Sequence, residues 1–266
     1  MNNGLLNAPA PSKQFWLLFK IASRERLKQM QSGLLYMNSL DYFSSLQDEV
    51  YLDLRADNYE NVHGILRAGP TENGRTEIWM EIGDKKVKLD ERFPLTAKYN
   101  ITKNIMLFCM GCLAEDRNGN LIGDTKEGVV FDEKLKQFGD HVLTIKNPVE
   151  FWKRYTKALT IRKGIFKPQM VHEGCGRIDY TNIYTFSGAK GIYLKDQRYE
   201  WQREFRLAIG ADDDALNANG ALELRIGTIK DISEIFPIEQ LLKRPIKVTK
   251  TPTQEIAGRL FALRRG

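Results

Sequence analysis

YLKDQRYEWQREFRLAIG, residues 193–210, is the stretch on which the fold turns. In its second half Gln202, Glu204 and Arg206 alternate with Phe205, Leu207 and Ile209. A period of two marks a β-strand with one face packed on a core. The other face then looks onto solvent or a cleft. Gln, Glu and Arg are ordinary residues on a solvated strand face. On the wall of a cleft the same three would bring an amide, a carboxylate and a guanidinium onto one surface, with Gln202 and Glu204 about 7 Å apart along the strand.

Working outward, FWLLFK (15–20) is a short apolar run ending on Lys20, and SRERLKQMQSG (23–33) reads as a helix with Ser23 at its N-cap and Gly33 at its end. LLYMNSLDYF (34–43) predicts a strand to about Met37 and then a short helix capped by Asn38 or Ser39. DLRADNYE (53–60) is an acidic and polar loop, and shorter strands are expected at 76–82, 85–89 and 104–109. EGVVFDEKLKQFG (127–139) reads as a helix before the strand HVLTIK. Asn147 with Pro148 opens a longer helix through about Arg162. The last third is strand-rich, with RIDYTNIYTF, LELRI and IKDIS as further strands and IEQLLKR as a terminal helix. The pattern is α+β, one domain over 15–242 with insertions near 61–100 and 113–130, preceded by a flexible stretch 1–14 and followed by a basic tail 243–266.

Apolar content of 42% and aromatic content of 10% are those of a globular chain. No apolar run reaches the roughly 20 residues of a membrane helix, and no basic-then-apolar leader opens the sequence, so a cytoplasmic protein without a membrane partner is expected. The net charge of +6 is uneven: residues 243–266 hold seven basic residues against Glu255 alone. WKRYTKALTIRKGIFKPQ (152–169) holds six basic residues and no acid, with Trp152, Tyr155 and Phe166 among them. Such clusters suit a polyanion such as nucleic acid, although basic helices are also commonly plain solvated faces.

Six pieces taken together, FK (19–20) before a helix, GLLYMNSLDYF (33–43), RADNYE (55–60), NIMLFCM (104–110), RIDY (177–180) and YLKDQRYEWQREFRLAI (193–209), resemble an ADP-ribosyltransferase-like family of bacterial and phage-defence proteins, RNA-modifying toxins of toxin–antitoxin–chaperone systems among them. The resemblance implies an α+β fold of split β-sheets with flanking helices, NAD as the cofactor, and RNA or single-stranded DNA as acceptor, with an antitoxin as a further partner. It implies a first-strand polar residue, here Lys20 where Arg or His is usual; a second element matched loosely by Tyr36, Asn38 and Ser39; and a late Gln-x-Glu, matched by Gln202 and Glu204.

The chemistry gives Glu204 a task of its own. Breaking the bond from ribose to nicotinamide passes through an oxocarbenium-like transition state, and a carboxylate hydrogen-bonded to the ribose 2′-hydroxyl stabilises that charge as it develops. Gln202 would orient the acceptor, and Arg206 would pair with Glu204 or reach a pyrophosphate. Tyr36, Tyr42 and Phe43 are the candidate nicotinamide pocket, and Lys20 a phosphate or ribose contact. Core packing is the plain alternative for Tyr42 and Phe43, and solvation for Lys20.

Three other readings stand beside this one. Cys109 and Cys112 in CMGC with His172 and Cys175 in HEGC form a Cys3His set for a structural zinc, against the alternative that the cysteines are simply buried. A metal-dependent nuclease would use Asp53, Asp57, Glu60 or Glu204 to hold a divalent cation, and a non-catalytic nucleic-acid-binding module would keep the fold alone.

Overall fold

The computed structural model describes residues 15–45, 59–71, 74–115, 120–166 and 174–247. The chain opens with β1 (Phe15–Ala22), α1 (Arg24–Gln31), β2 (Leu34–Ser39) and a short α2 (Leu40–Ser45). Six short strands follow: β3 (Val62–Leu66), β4 (Gly69–Thr71), β5 (Gly74–Thr76), β6 (Trp79–Ile82), β7 (Lys85–Lys88) and β8 (Leu95–Lys98). The middle of the chain supplies β9 (Ile105–Ala114), β10 (His141–Ile145), α3 (Pro148–Ile161) and β11 (Ile165–Phe166). The last third adds β12 (Cys175–Arg177), β13 (Asp179–Thr181), β14 (Gly188–Ala189), β15 (Leu194–Asp196), β16 (Glu204–Ala211), β17 (Leu222–Arg225), β18 (Ser233–Pro237) and α4 (Ile238–Leu242). The architecture is mixed α+β, and among the described strands only β13 and β15 pair in parallel.

Local chemistry accounts for most of these boundaries. α1 buries Leu27 and Met30 and stops before Gly33, where φ is +102° and a Cβ would fall 2.1 Å from the Gly227 carbonyl oxygen. Ser39 caps α2, its hydroxyl accepting the Tyr42 N–H at 3.1 Å. The Asn147 side chain accepts the Glu150 N–H at 3.0 Å with Pro148 in the first turn of α3, which buries Phe151, Trp152, Tyr155, Ala158 and Leu159. Three expectations change. RIDYTNIYTF is strand only at Arg177 and over Asp179–Thr181, after which the chain turns, the Thr185 and Phe186 N–H groups donating back to the Asn182 carbonyl. The segment before β10 is not an α-helix but a 3-10 turn over Glu133–Phe138, capped by Asp132 and burying only Leu135. A single buried residue gives too narrow an apolar stripe to hold a longer helix. IKDIS begins as a 3-10 turn, Lys230–Ile232, and becomes strand only at Ser233.

Nine strands form the main sheet, with β11, β16, β9, β1, β10 and β18 in order. β9 is its centre. Along one edge it pairs with β16 from Ile105 to Gly111. Along the other it pairs first with β2, at Met106 and Leu107, and then with β1, from Gly111 to Ala114. Phe108, Cys109 and Met110 have no strand partner on that edge, so β1 and β2 part there and the sheet opens. One face is covered by the main core, in which α1 and α3 pack on Phe108, Met110, Phe205, Leu207 and Ile209. The other face carries two smaller clusters, one around Phe19, Phe131 and Val142 and one around Leu107, Ile192 and Ala208.

The insertion near 61–100 folds into small sheets of its own, β14-β3-β8, β4-β5 and β6-β7. Every residue of the β6-β7 hairpin is exposed. Among the described residues no helix is long and apolar enough to cross a membrane.

Candidate active site

The opening between β1 and β2 is the mouth of a cavity of about 560 Å³, within the size range of small-molecule sites. Lys20 is the first residue of β1 past its pairing with β9, and Asn38 is the residue at which β2 joins β9. The two therefore stand on opposite lips of the split. Lys20 reaches across it, its Nζ donating to the Cys109 carbonyl at 2.5 Å and lying 4.9 Å from the centre of the Phe108 ring. That carbonyl belongs to the part of β9 with no strand partner on this edge, and the ammonium satisfies it.

β16 forms the back wall. The alternation read in the sequence holds from Glu204 onward: Phe205, Leu207 and Ile209 enter the main core, while Glu204 and Arg206 face the cavity with Cys109 and Gly111 of β9. All eight residues of the strand are buried, so its polar face looks into a cleft and not onto solvent. Gln202 is not on this strand. It ends a 3-10 turn, Gln197–Gln202, and Arg203 after it takes a left-handed conformation with φ 46° and ψ 48°, the only positive φ among described non-glycine residues. Arg203 is fixed there by its Nη1 donating to the Ile122 carbonyl at 2.7 Å, by the Phe131 ring 5.5 Å away, and by its own carbonyl accepting the Cys112 N–H at 2.8 Å. A left-handed arginine costs of order 1 kcal/mol. It lets residues 202 and 204 point into one cavity from different elements.

Their common partner is Lys195, the middle residue of β15. Its Nζ donates to Gln202 Oε1 at 3.2 Å and to Glu204 Oε2 at 2.7 Å. The other oxygen, Glu204 Oε1, accepts from Arg206 Nε at 2.6 Å. Arg206 Nη1 donates to the Ile192 carbonyl at 2.7 Å and lies 2.5 Å from Glu60 Oε1. The Glu204 backbone N–H donates to the Tyr180 hydroxyl at 2.9 Å. Glu60, Lys195, Glu204 and Arg206 are all under a tenth exposed, two anions and two cations between two apolar clusters. Paired burial of this kind is the form in which charges persist inside a protein.

This pairing sets the protonation states. Burial pushes the Glu204 carboxyl up, but Arg206 and Lys195 outweigh it and hold the group well below the usual carboxylate range. Burial pushes the Glu60 carboxyl up too, but the same two cations, joined by Lys190, outweigh it and leave it lowered. Lys195 is raised despite burial, because Glu204 and Glu60 lie beside it. Cys109 is driven the other way: burial, with the Glu204 charge added, pushes its thiol up to about 12. The site therefore holds an ionised carboxylate and a neutral thiol at physiological pH.

Tyr36, Asn38, Tyr42 and Phe43 also line the cavity, so of the eight residues expected to bind cofactor or substrate besides Glu204, only Ser39 is not on its wall. Ser39 is buried and serves as the cap of α2. Tyr36 and Tyr42 are about two-fifths exposed, which removes plain core packing as the account of Tyr42. Tyr42 and Phe43 meet edge to face, 5.4 Å between ring centres. Of the two tasks expected for Arg206, pairing with Glu204 is the one seen.

Cys109 and Cys112 are not arranged as the alternative Cys3His zinc set would need. Cys109 and Cys112 lie within the continuous strand β9, three residues apart, so their side chains leave opposite faces, Cys109 toward the cavity and Cys112 into the main core. No loop curls at Gly111. His172 lies outside the described residues, and among those described no group of three or more His, Cys, Asp or Glu gathers as a metal set would. Asp53 and Asp57 also lie outside the described residues. Of the carboxylates a nuclease would use, Glu60 and Glu204 are bridged by Arg206, which places a cation already where they come together.

Lys195 is the member of the site that sequence reading missed. Comparison with protein-family models, curated proteins and solved structures finds no match to the chain.

Proposed function

We propose that this protein is an NAD-dependent ADP-ribosyltransferase, a toxin or defence effector acting on RNA or single-stranded DNA. The observation that carries the proposal is the placing of an ionised Glu204 on the wall of a cavity at the split between β1 and β2, with Lys20 and Asn38 on its lips. An antiparallel sheet opened at this point supports the ADP-ribosyltransferase-like split-sheet fold that the sequence resemblance implies.

The residues present fit the donor. Lys20 and Arg26 give the cavity mouth cationic groups for a pyrophosphate, and Tyr36, Tyr42 and Phe43 give flat apolar surface for a nicotinamide ring. In the reaction the bond between ribose C1′ and the pyridinium nitrogen would break, its electron pair leaving with neutral nicotinamide, while a nucleophilic atom of the acceptor bonds C1′ and gives its proton to solvent. Glu204 stays ionised throughout and stabilises positive charge as it develops on the ribose, through a hydrogen bond from the 2′-hydroxyl. Lys195, Arg206 and the Cys109 thiol take three of its lone pairs, and a carboxylate has about four, so one remains for the hydroxyl. The two cations keep the carboxylate charged and aimed. Gln202, held by the same Lys195 on the cavity wall, would orient the acceptor.

The test is incubation of the protein and of Glu204→Gln with labelled NAD and, separately, RNA, single-stranded DNA and cell lysate. Label on one acceptor class, lost in the variant, supports the proposal and names the acceptor. Wild-type protein that neither transfers label nor releases nicotinamide overturns it.

A further inference from the structure

Glu60 is the buried acid of the cavity for which the reaction above has no task. It is 1% exposed and lines the cavity beside Glu204. Its Oε1 is ion-paired with Arg206 Nη1 at 2.5 Å, while its Oε2 has no hydrogen-bond partner among the described groups. A buried carboxylate oxygen without a hydrogen bond is rare in folded proteins and calls for a reason. Position supplies one. Glu204 sits on Nε and Glu60 on Nη1 of a single guanidinium, so Arg206 sets two carboxylates next to each other on one wall.

We propose that Glu60 is a donor-binding residue: it accepts the hydrogen bond of the 3′-hydroxyl of the nicotinamide ribose while Glu204 accepts that of the 2′-hydroxyl. This rests on the NAD reading. A vicinal diol carries two O–H donors on adjacent carbons, and two adjacent carboxylates are its complement. Both are ionised, so each hydroxyl keeps its proton, no proton is transferred, and each bond is of the stronger, charge-assisted kind. The plain alternative is that Glu60 only balances the charge of Arg206 and Lys195. That role requires Glu60 for stability but makes it indifferent to whether a ligand carries the terminal ribose.

The experiment is calorimetric titration of wild-type protein and Glu60→Gln with ADP-ribose and with ADP, which lacks the terminal ribose. Wild type should bind ADP-ribose more tightly than ADP. Glu60→Gln should weaken ADP-ribose about tenfold and leave ADP unchanged. Titration stoichiometry reports the folded fraction, so a partly folded variant shows as fewer sites and not as weaker ones. A second arm uses wild-type protein only: ADP-ribose lacking the 3′-hydroxyl of its terminal ribose should bind roughly 10- to 100-fold more weakly than ADP-ribose itself. Equal affinity for the deoxy ligand, or a variant that weakens both ligands alike, overturns the assignment of Glu60 while leaving the NAD reading standing. Wild-type protein that binds neither ADP-ribose nor NAD overturns both.

Discussion

At position 204 a carboxylate lies between an ammonium and a guanidinium with all three out of water, and this fixes what its removal must do. Glu204→Gln leaves two buried cations short of an anion, which costs about 3–5 kcal/mol when one partner of such a pair is lost; the urea midpoint measures it. Transfer should fall by about 10²–10³ in kcat, the scale of a removed electrostatic stabiliser, with NAD binding in equilibrium titration largely kept. The pH dependence follows from the sign of each shift. The folded Glu204 titrates below its unfolded value of 4.5, so its contribution to stability is complete above that pH and is lost as pH falls through the folded value. Wild-type urea midpoints should therefore drop steeply on the acid side of about pH 4.5, and those of Glu204→Gln should drop less; parallel curves would remove the ion pairs from the account. Lys195 is raised above 10.5, so its contribution is present below that pH and lost as pH rises through the folded value. Glu204 was legible in the sequence because strand alternation put it opposite three apolar residues. Lys195 was not, since a lysine in a three-residue strand reads as solvated. Only the folded chain brings it to the two residues it holds.

Among the elements, the strands with clear alternation and the helices with side-chain caps were legible, and the link between them at Arg203 was not. A left-handed residue is normally announced by Gly or Asn; here it is an arginine, and what holds it is a carbonyl from Ile122 on a distant insertion. Reading Gln202 onto the same strand as Glu204 gave the right cavity by the wrong backbone. β9 carries a second constraint that sequence does not display. Gly111 stands opposite Glu204, and a Cβ there would lie 2.2 Å from Cζ of Phe19. That ring is fully buried and packed edge to face on Phe131, 5.2 Å between centres, so it has little room to yield. Gly111→Ala should destabilise by about 1–3 kcal/mol, the usual cost of overpacking a core, read as a lower denaturant midpoint at unchanged slope. A substitution without effect would mean that Phe19 moves freely, and that the cavity wall it forms is not fixed.

For the molecule as a whole, the opening of the sheet could not be read from any one segment, because it arises where β1 and β2 leave the same edge of β9 at different residues. The charge distribution was legible, but its meaning changes on folding. Of the aromatic residues interleaved with basic ones, Trp152 and Tyr155 are buried in the main core and cannot stack on bases, and only Phe166 is exposed. Arg154 is engaged with Glu150 and Asp231. On α3 and the turn after it Lys153, Lys157 and Lys163 are exposed, alongside Ile161. If this face holds the polyanionic acceptor, its contribution is counterion release, which scales with the number of phosphates neutralised and carries no sequence information. Fluorescence anisotropy of a single-stranded RNA at a series of salt concentrations measures that number. The slope of log K against log salt should flatten by about 2 when Lys153, Lys157 and Lys163 are all changed to Glu, at about 0.7 per phosphate on a single strand. NAD hydrolysis without acceptor should stay at the wild-type rate, because none of the three lines the cavity. An unchanged slope would take the α3 face out of acceptor binding and put the polyanion on some other surface of the chain.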